Sequence, residues 1–251
     1  MTTSQRLHPD LVATLKTLRL GKLVPVIPDR LRLAREKGLD LEDALLLVLS
    51  DEVQRRANMR VQNRSREAGL QSTMVFEEWD TTATIDYDRA LLERLRSLRF
   101  LDEHAHILLM GPVGVGKTML AQAFARRAIE QNHSALFVTA DNLFRQLRGA
   151  RLDDTHRAEL RRLERVDLLV IDDFALRPMT TEETMDMYEI ITARHRTRSM
   201  IMTSNRTPDE WLDQLADRLH AQALVDRFQN NAYDLVIEGE SYRKRQKPGA
   251  R

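Results

Sequence analysis

One stretch, residues 107–120 with the sequence ILLMGPVGVGKTML, restricts the fold more than any other part of the chain. Four apolar residues precede a glycine-rich turn of the form Gly111-x-x-x-x-Gly116-Lys117-Thr118, and a helical pattern follows it. This order is typical of a phosphate-binding loop, in which glycines let successive backbone N–H groups point at phosphate oxygens. We therefore predict a strand over 106–110, a helix over 117–131 and a nucleoside-triphosphate site between them.

The side chains of this loop have distinct predicted roles. Lys117 is expected to reach the β- and γ-phosphates of ATP, and the Thr118 hydroxyl to coordinate Mg²⁺. The alternative, a glycine-rich turn with an incidental lysine, does not account for the strand and helix on either side. The predicted nucleotide-binding residues of the loop are Gly111, Pro112, Val113, Gly114, Val115, Gly116, Lys117, Thr118 and Met119.

From residue 105 onward, short apolar runs alternate with helical stretches. The runs are HILLM, SALFVTA, DLLVIDD and SMIMTSN, and YDLVIEG near the end is typical of an edge strand. Such alternation predicts a parallel sheet with helices on both faces. The predicted fold class is α/β, with a parallel five-stranded sheet between helices and a small all-α domain before it.

Two adjacent carboxylates, Asp172 and Asp173, end the buried run DLLVIDD. Ligands of parallel α/β sheets collect at the carboxyl ends of the strands. Asp172 fits the position that holds Mg²⁺ through coordinated water. Asp173 could orient or deprotonate an attacking water. The alternative is that the paired acids merely cap a strand.

Asn205 follows the next apolar run, SMIMTSN. A neutral amide between the phosphate loop and the second carboxylate would hold the lytic water or sense the γ-phosphate. An asparagine at a strand end is also a common turn residue. The ordered series of loop, acidic strand and polar strand end favours the catalytic interpretation.

Arg227, in the segment LVDRFQNNA, lies late in an amphipathic helix that follows the nucleotide-binding strands. An arginine that does not reach its own phosphates can complete a neighbouring subunit's site and stabilise transition-state charge. An ordinary surface ion pair with Asp226 or Asp217 is the alternative.

Composition and charge divide the chain into four predicted segments. Residues 1–70 form a helical domain for DNA or partner binding and oligomerisation, and 71–104 form an acidic connector. Residues 105–240 form the ATPase domain, and 241–251 form a basic tail. The net charge is only +1, so a nucleic-acid surface requires local clusters of bases, which could equally be solvated helix faces. The candidate DNA-binding residues are Arg55, Arg56, Arg60, Arg64, Arg145 and Arg148.

Several classes of site are excluded or disfavoured by the composition. The chain contains no cysteine, which excludes disulfides, zinc-thiolate sites and a thiol nucleophile. Its first residues are polar, and no apolar run approaches the roughly 20 residues of a membrane span. We expect a soluble, cytoplasmic protein without a membrane segment.

With these motifs in this order, residues 76–243 resemble the AAA+ ATPases of the initiator and helicase-loader clade. The similarity is strongest to the IstB-type ATPases of bacterial insertion sequences. It rests on the segments FEEWD, LRFLDEHAHILLMGPVGVGKTMLAQAF, LLVIDDFALRPMT, MTSNRTPDEW, LVDRF and GESYRKR.

The resemblance implies roles for individual residues. Asp172 would hold Mg²⁺, Asp173 would stand where many relatives have glutamate, and Asn205 would be the first sensor. Arg227 would be the finger that acts on the neighbouring subunit, and Arg243 a second sensor.

The resemblance also implies a function. Such proteins assemble with ATP into rings or spirals, bind duplex DNA with little sequence preference, and recruit and stimulate a partner transposase. A DnaC-like replicative helicase loader is the alternative within the same clade. A metabolic kinase is a third possibility, which the acidic strand and Asn205 disfavour.

Overall fold

A computed structural model describes residues 7–80 and 85–242 of the chain. Its contacts divide the chain into an N-terminal unit, Met1–Asn63, and a C-terminal unit, Arg64–Arg251. Arg243, the predicted second sensor, lies outside the described residues, as does most of the predicted basic tail.

The N-terminal unit is helical, as its leucine spacing predicts. Its helices are α1 (Pro9–Thr17), a 3₁₀ turn (Gly21–Leu23), α2 (Ile27–Glu36) and α3 (Leu41–Glu67), which continues past the unit boundary. Asp40 accepts a hydrogen bond from the Asp43 backbone N–H at 2.8 Å and so caps α3. The small core of the unit consists of Leu15, Leu23, Ile27 and Val48.

The C-terminal unit alternates strands and helices. It begins with a 3₁₀ turn (Phe76–Glu78), β1 (Ile85–Asp86), α4 (Arg89–Arg96) and α5 (Arg99–Asp102). The next elements are β2 (His106–Met110), α6 (Lys117–Glu130), β3 (Ala135–Thr139), α7 (Ala140–Leu152), α8 (His156–Arg165) and β4 (Leu168–Asp172). The last are α9 (Thr181–Arg194), β5 (Ser199–Ser204), α10 (Pro208–Trp211), α11 (Arg218–Gln229), β6 (Ala232–Val236) and β7 (Glu238–Gly239).

Within the described residues, five parallel strands form the main sheet in the order β3-β4-β5-β2-β6. This result confirms the predicted α/β fold, and β6 lies at an edge as predicted. The predicted strand 106–110 coincides with β2, and the predicted helix 117–131 extends one residue beyond α6. β1 and β7 form a separate antiparallel pair that the sequence did not indicate.

Both faces of the main sheet are covered by helices because the central strands are apolar on both sides. Ile107 and Leu109 belong to the core cluster that includes side chains of α4, α5 and α6. Leu108 belongs to the other cluster, which includes side chains of α7, α8, α9 and α11. The alternation along β2 therefore fixes the strand between two helical layers. Among residues 7–80 and 85–242, no helix has the length and apolar character needed to cross a membrane.

Candidate nucleotide-binding site

The strand order brings three predicted motifs together at the carboxyl end of the main sheet. β5 lies between β2 and β4, so the segments after these strands are neighbours. The Gly111 N–H at the start of the phosphate loop donates to the Ser204 carbonyl at the end of β5, at 3.3 Å. The parallel register therefore determines that the loop, the acid pair and Asn205 emerge together.

The phosphate loop requires glycine where its backbone turns. Gly116 has φ +104°, and a Cβ there would lie 2.5 Å from the Trp79 ring. Gly114 has φ +88°, and a Cβ there would clash with Ser241. Side chains at these positions would be strained and would collide with Trp79 and Ser241, so glycine leaves a bare, tightly turned backbone of the kind that suits a phosphate.

Lys117 begins α6 and is almost entirely buried. Its Nζ donates to the Gly111 carbonyl at 2.7 Å and to the Pro112 carbonyl at 2.8 Å. These contacts hold the ammonium group inside the loop, at the N-terminus of a 14-residue helix. Both the ammonium and the helix dipole favour an anion at this point.

Asp172 is the last residue of β4 and is 3% exposed. One carboxylate oxygen accepts from the Thr118 hydroxyl at 3.1 Å and from the Thr203 hydroxyl at 2.6 Å. Burial raises the pKa of Asp172, and the hydrogen bond from Thr203 acts in the opposite direction. The adjacent hydroxyl and carboxylate oxygens of Thr118 and Asp172 are donors suited to Mg²⁺.

Asp173 leaves the strand in a left-handed backbone conformation, with φ +56°. Its N–H donates to the Thr203 hydroxyl at 2.9 Å, and the N–H of Phe174 donates to the Thr203 carbonyl at 2.9 Å. These bonds stabilise a turn that a non-glycine residue seldom adopts. As a result the Asp172 side chain is buried, whereas the Asp173 side chain is exposed.

A cavity of about 570 Å³ joins these parts. Its walls include Asp173, Asn205 and the loop residues from 113 to 119. Gly111 and Pro112 contribute through the carbonyls that Lys117 contacts rather than as wall residues. The structure thus brings the predicted loop, second carboxylate and amide into one site, while their chemical roles stay predictions.

The connector forms a wall that sequence reasoning missed. The wall residues from this region are Gln71, Thr73, Met74, Glu78, Trp79, Asp80 and Ile85. Trp79 is fixed by a 3.0 Å hydrogen bond from its Nε1 to the Tyr87 hydroxyl, and the two rings meet edge to face. A tryptophan in an otherwise acidic segment was the available signal, because such a side chain needs an apolar surface.

The segment after β6 also lines the cavity. Glu240 and Tyr242 line the cavity, and the Tyr242 N–H donates to the Gly114 carbonyl at 2.9 Å. The pairing of β7 with β1 connects this segment to the connector. Both walls therefore come from residues far from the phosphate loop in sequence.

Arg227 does not line the cavity. Its guanidinium lies 5.1 Å from the centre of the Tyr188 ring and donates to the Ala223 carbonyl at 3.4 Å. Within residues 7–80 and 85–242 it forms no ion pair, so the predicted alternative of a bond to Asp226 or Asp217 is not found.

Comparison with known proteins agrees with this arrangement. The sequence model of the family described as IstB-like ATP binding protein matches residues 13–250. The chain belongs to this family. A Mycobacterium tuberculosis protein named as an ATP-binding protein in an insertion sequence is 33% identical, over 96% of each chain. An insertion-sequence ATP-binding protein of Pseudomonas aeruginosa is 29% identical, over 95% of this chain and 90% of that one.

Solved structures show the fold of this IstB-like protein in other chains. The replication initiator DnaA, solved with AMPPCP and single-stranded DNA, has a TM-score of 0.58 at 22% identity. That match covers 68% of this chain but only 51% of the DnaA chain. DnaI matches with a TM-score of 0.57 at 24% identity, over 65% of this chain and 90% of that one. At these identities the likeness concerns the AAA+ P-loop fold alone.

The candidate DNA-binding arginines of the IstB-like protein differ in their surroundings. Arg55 and Arg56 both pair with Glu52 at 2.7 Å, and these bonds lower the pKa of Glu52 to about 2. Arg148 pairs with Glu183 at 3.3 Å, and Arg64 donates to the carbonyls of Asn132 and His133.

Two of the candidates remain exposed without an ion pair in the described part of the chain. They are Arg60 on α3 and Arg145 on α7. Their guanidinium groups are accordingly the ones most available for phosphate contact.

Proposed function

We propose that this IstB-like protein is a Mg²⁺-dependent ATPase that assembles on duplex DNA and recruits and stimulates a partner transposase. One observation carries the proposal. A single cavity joins the phosphate loop to Asp173 and Asn205, whereas Arg227 lies outside it. This division suits an ATPase whose subunits each lack one catalytic group until they assemble.

The binding half of the proposed chemistry uses the buried end of the cavity. Phosphate oxygens would accept from the loop N–H groups and from Lys117, in place of the Gly111 and Pro112 carbonyls. Thr118 would bind Mg²⁺ directly and Asp172 through water, and the ion would neutralise charge on the β- and γ-phosphates. The hydrogen bond between Thr118 and Asp172 supports a shared ligand at this position.

The hydrolytic half uses the exposed end. Asp173 would accept a proton from the attacking water, and Asn205 would orient that water or detect the γ-phosphate. Both side chains are exposed and line the cavity, so neither needs to leave a buried position to act. Arg227 of an adjacent subunit would stabilise the charge that develops in the transition state.

DNA binding is proposed to depend on phosphate contact rather than base recognition. The support is the set of exposed arginines, because guanidinium groups match phosphate oxygens and carry no sequence preference by themselves. The N-terminal unit, the candidate for partner binding and oligomerisation, exposes five aliphatic side chains on α3. These are Leu41, Leu45, Leu46, Leu49 and Val53.

Electron microscopy of the full chain with duplex DNA would test assembly directly, with ATP and Mg²⁺ in one sample and ADP in the other. We expect ordered oligomers on DNA with ATP only. Dispersed subunits in both samples, or equal assembly with ADP, would contradict the proposal.

A pull-down with two baits, the transposase from the same insertion sequence and a replicative helicase, identifies the partner. Retention of the transposase in an ATP-dependent manner is the expected result. Retention of the helicase alone would instead assign the protein to helicase loading. ATP turnover stimulated by a metabolite and not by DNA would assign it to small-molecule phosphorylation.

A further inference from the structure

The residue next to each of three proposed catalytic residues contacts one buried side chain, Trp211. These neighbours are Phe174, Ser204 and Phe228, which adjoin Asp173, Asn205 and Arg227 respectively. Trp211 itself is 0% exposed and is not among the residues that line the cavity. Its contacts therefore lie just behind the site rather than in it.

The first two contacts are made at the end of the main sheet that carries the site. The Trp211 ring meets Phe174 edge to face, with centroids 4.8 Å apart. Its Nε1–H donates to the Ser204 hydroxyl at 3.0 Å, and that hydroxyl donates to the Phe174 carbonyl at 3.0 Å. The Arg206 N–H also donates to the Ser204 hydroxyl, at 3.1 Å. This hydroxyl uses its donor and both lone pairs, so its orientation is fixed.

The third contact lies on α11. The centroids of Trp211 and Phe228 are 6.0 Å apart, and Phe228 stacks on His106 at 5.1 Å. Burial lowers the pKa of His106 to about 3, so this ring stays uncharged at neutral pH. Phe228 is completely buried and directly follows Arg227, so the backbone that carries the arginine is held against Trp211.

Trp211 is itself held firmly. It ends the short helix α10, which begins after Thr207, where the Thr207 N–H donates to Glu210 at 2.7 Å. Close-packed aromatic groups have few alternative arrangements, so a shift of one contact displaces the others.

We infer that Trp211 is a positioning residue that holds two groups of catalytic residues in a fixed arrangement relative to each other. One is the subunit's own Asp173 and Asn205, and the other is the Arg227 that it offers to its neighbour. The inference rests on the proposed function, because it needs Arg227 to act between subunits.

The test uses mixtures of two inactive full-length variants. Asp173→Asn subunits would supply Arg227 without hydrolysing ATP, and Arg227→Ala subunits would hydrolyse ATP only beside a neighbour that supplies the arginine. Hydrolysis should appear when the two are mixed. Trp211→Phe keeps a ring but removes the N–H donor. It is then introduced as a second substitution into one of the two variants, and the mixing is repeated for each.

We expect Trp211→Phe to lower the turnover of the mixture about fivefold in either component, because it removes the hydrogen bond to Ser204 and leaves a smaller ring against Phe228. The affinity of each subunit for ATP should change by less than about twofold, because the phosphate loop is untouched. Leu147→Val, in the same core cluster but on α7, is the control for general destabilisation. It should lower the melting temperature without lowering the turnover of the mixture.

Different failures have different meanings. A mixture that stays inactive without any change at Trp211 contradicts the trans role of Arg227, and the inference with it. An active mixture that loses turnover only when Trp211→Phe is in the Arg227→Ala component limits Trp211 to its own site and overturns the inference. Unchanged turnover in both cases, or an equal loss with Leu147→Val, also overturns it.

Discussion

The two ends of the nucleotide cavity are built differently. At the phosphate end, Lys117 and Asp172 are buried, and the Lys117 ammonium and one carboxylate oxygen of Asp172 are hydrogen-bonded within the subunit. At the other end, Asp173 and Asn205 have exposed side chains, and Arg227 lies outside the cavity altogether. The groups at the phosphate end are already held in place and need only exchange hydrogen-bond partners when phosphate binds, whereas exposed groups need a further component to fix them.

The difference shows that one subunit can hold all the residues needed for nucleotide binding without holding all those needed for hydrolysis. A subunit with a finished phosphate end and an unfinished hydrolytic end would bind ATP alone and hydrolyse it in an assembly. ATP affinity and turnover, measured together for a variant at each end, separate the contributions of the two ends.

The largest effect is expected for Lys117→Ala, which removes the only lysine of the phosphate loop. Loss of charge-assisted bonds to two phosphates should weaken ATP binding by about a hundredfold or more and abolish ATP-dependent assembly. Titration with a fluorescent ATP analogue measures the affinity, and light scattering measures the assembly. Lys37→Ala, an exposed lysine of the N-terminal unit, is the control and should behave as the wild type. Normal ATP-driven oligomers from Lys117→Ala would contradict the assignment of the phosphate end.

Arg227→Ala should produce the next largest effect, on turnover alone. An arginine that stabilises transition-state charge contributes about a thousandfold, so hydrolysis by the assembly should fall by that order. ATP binding to the isolated subunit should be unchanged. Arg218→Ala, at the exposed start of the same helix, is the matched control. If ATP binding disappears with Arg227→Ala, the arginine acts within its own subunit or supports its fold.

Asp173→Asn should reduce turnover about a hundredfold, because an amide does not accept the proton of the attacking water. Binding should persist, so the variant should accumulate as an ATP-bound assembly on DNA. Radiolabelled nucleotide retained on DNA filters measures this state, and Asp209→Asn, an exposed aspartate outside the cavity, is the control. Turnover at the wild-type rate would exclude Asp173 as the base.

The phosphate end was more accessible to sequence reasoning than the rest of the cavity. Its residues follow β2 and β4 closely in the chain, and the apolar runs before Gly111 and Asp172 predict both strands. The connector wall was missed because Trp79 reaches the loop through tertiary packing against Gly116, which no local spacing indicates. For Arg227, the apolar pattern predicts the helix but not the contact with Tyr188, which depends on how α9 and α11 pack.

The smallest of these four effects is expected for Thr203→Val, which changes a side chain that contacts both ends of the cavity. Its hydroxyl donates to Asp172 at 2.6 Å and accepts from the Asp173 N–H at 2.9 Å. Valine has nearly the same shape, so the strand should remain intact while turnover falls about tenfold, the worth of one or two hydrogen bonds.

The pH dependence gives the more specific signature of this variant. The hydrogen bond from Thr203 lowers the pKa of Asp172 against the effect of burial, so its loss should raise that pKa. Mg²⁺ needs the ionised carboxylate. As the pH is lowered, the variant should therefore lose activity at a higher pH than the wild type does. A profile of kcat/KM against pH measures the shift, and Thr203→Ser, which keeps the hydroxyl, should restore the wild-type profile. An unshifted acidic limb with Thr203→Val would mean that Asp172 is not the group whose ionisation limits the reaction. Thr203 would then not link the phosphate end of the cavity to the hydrolytic end.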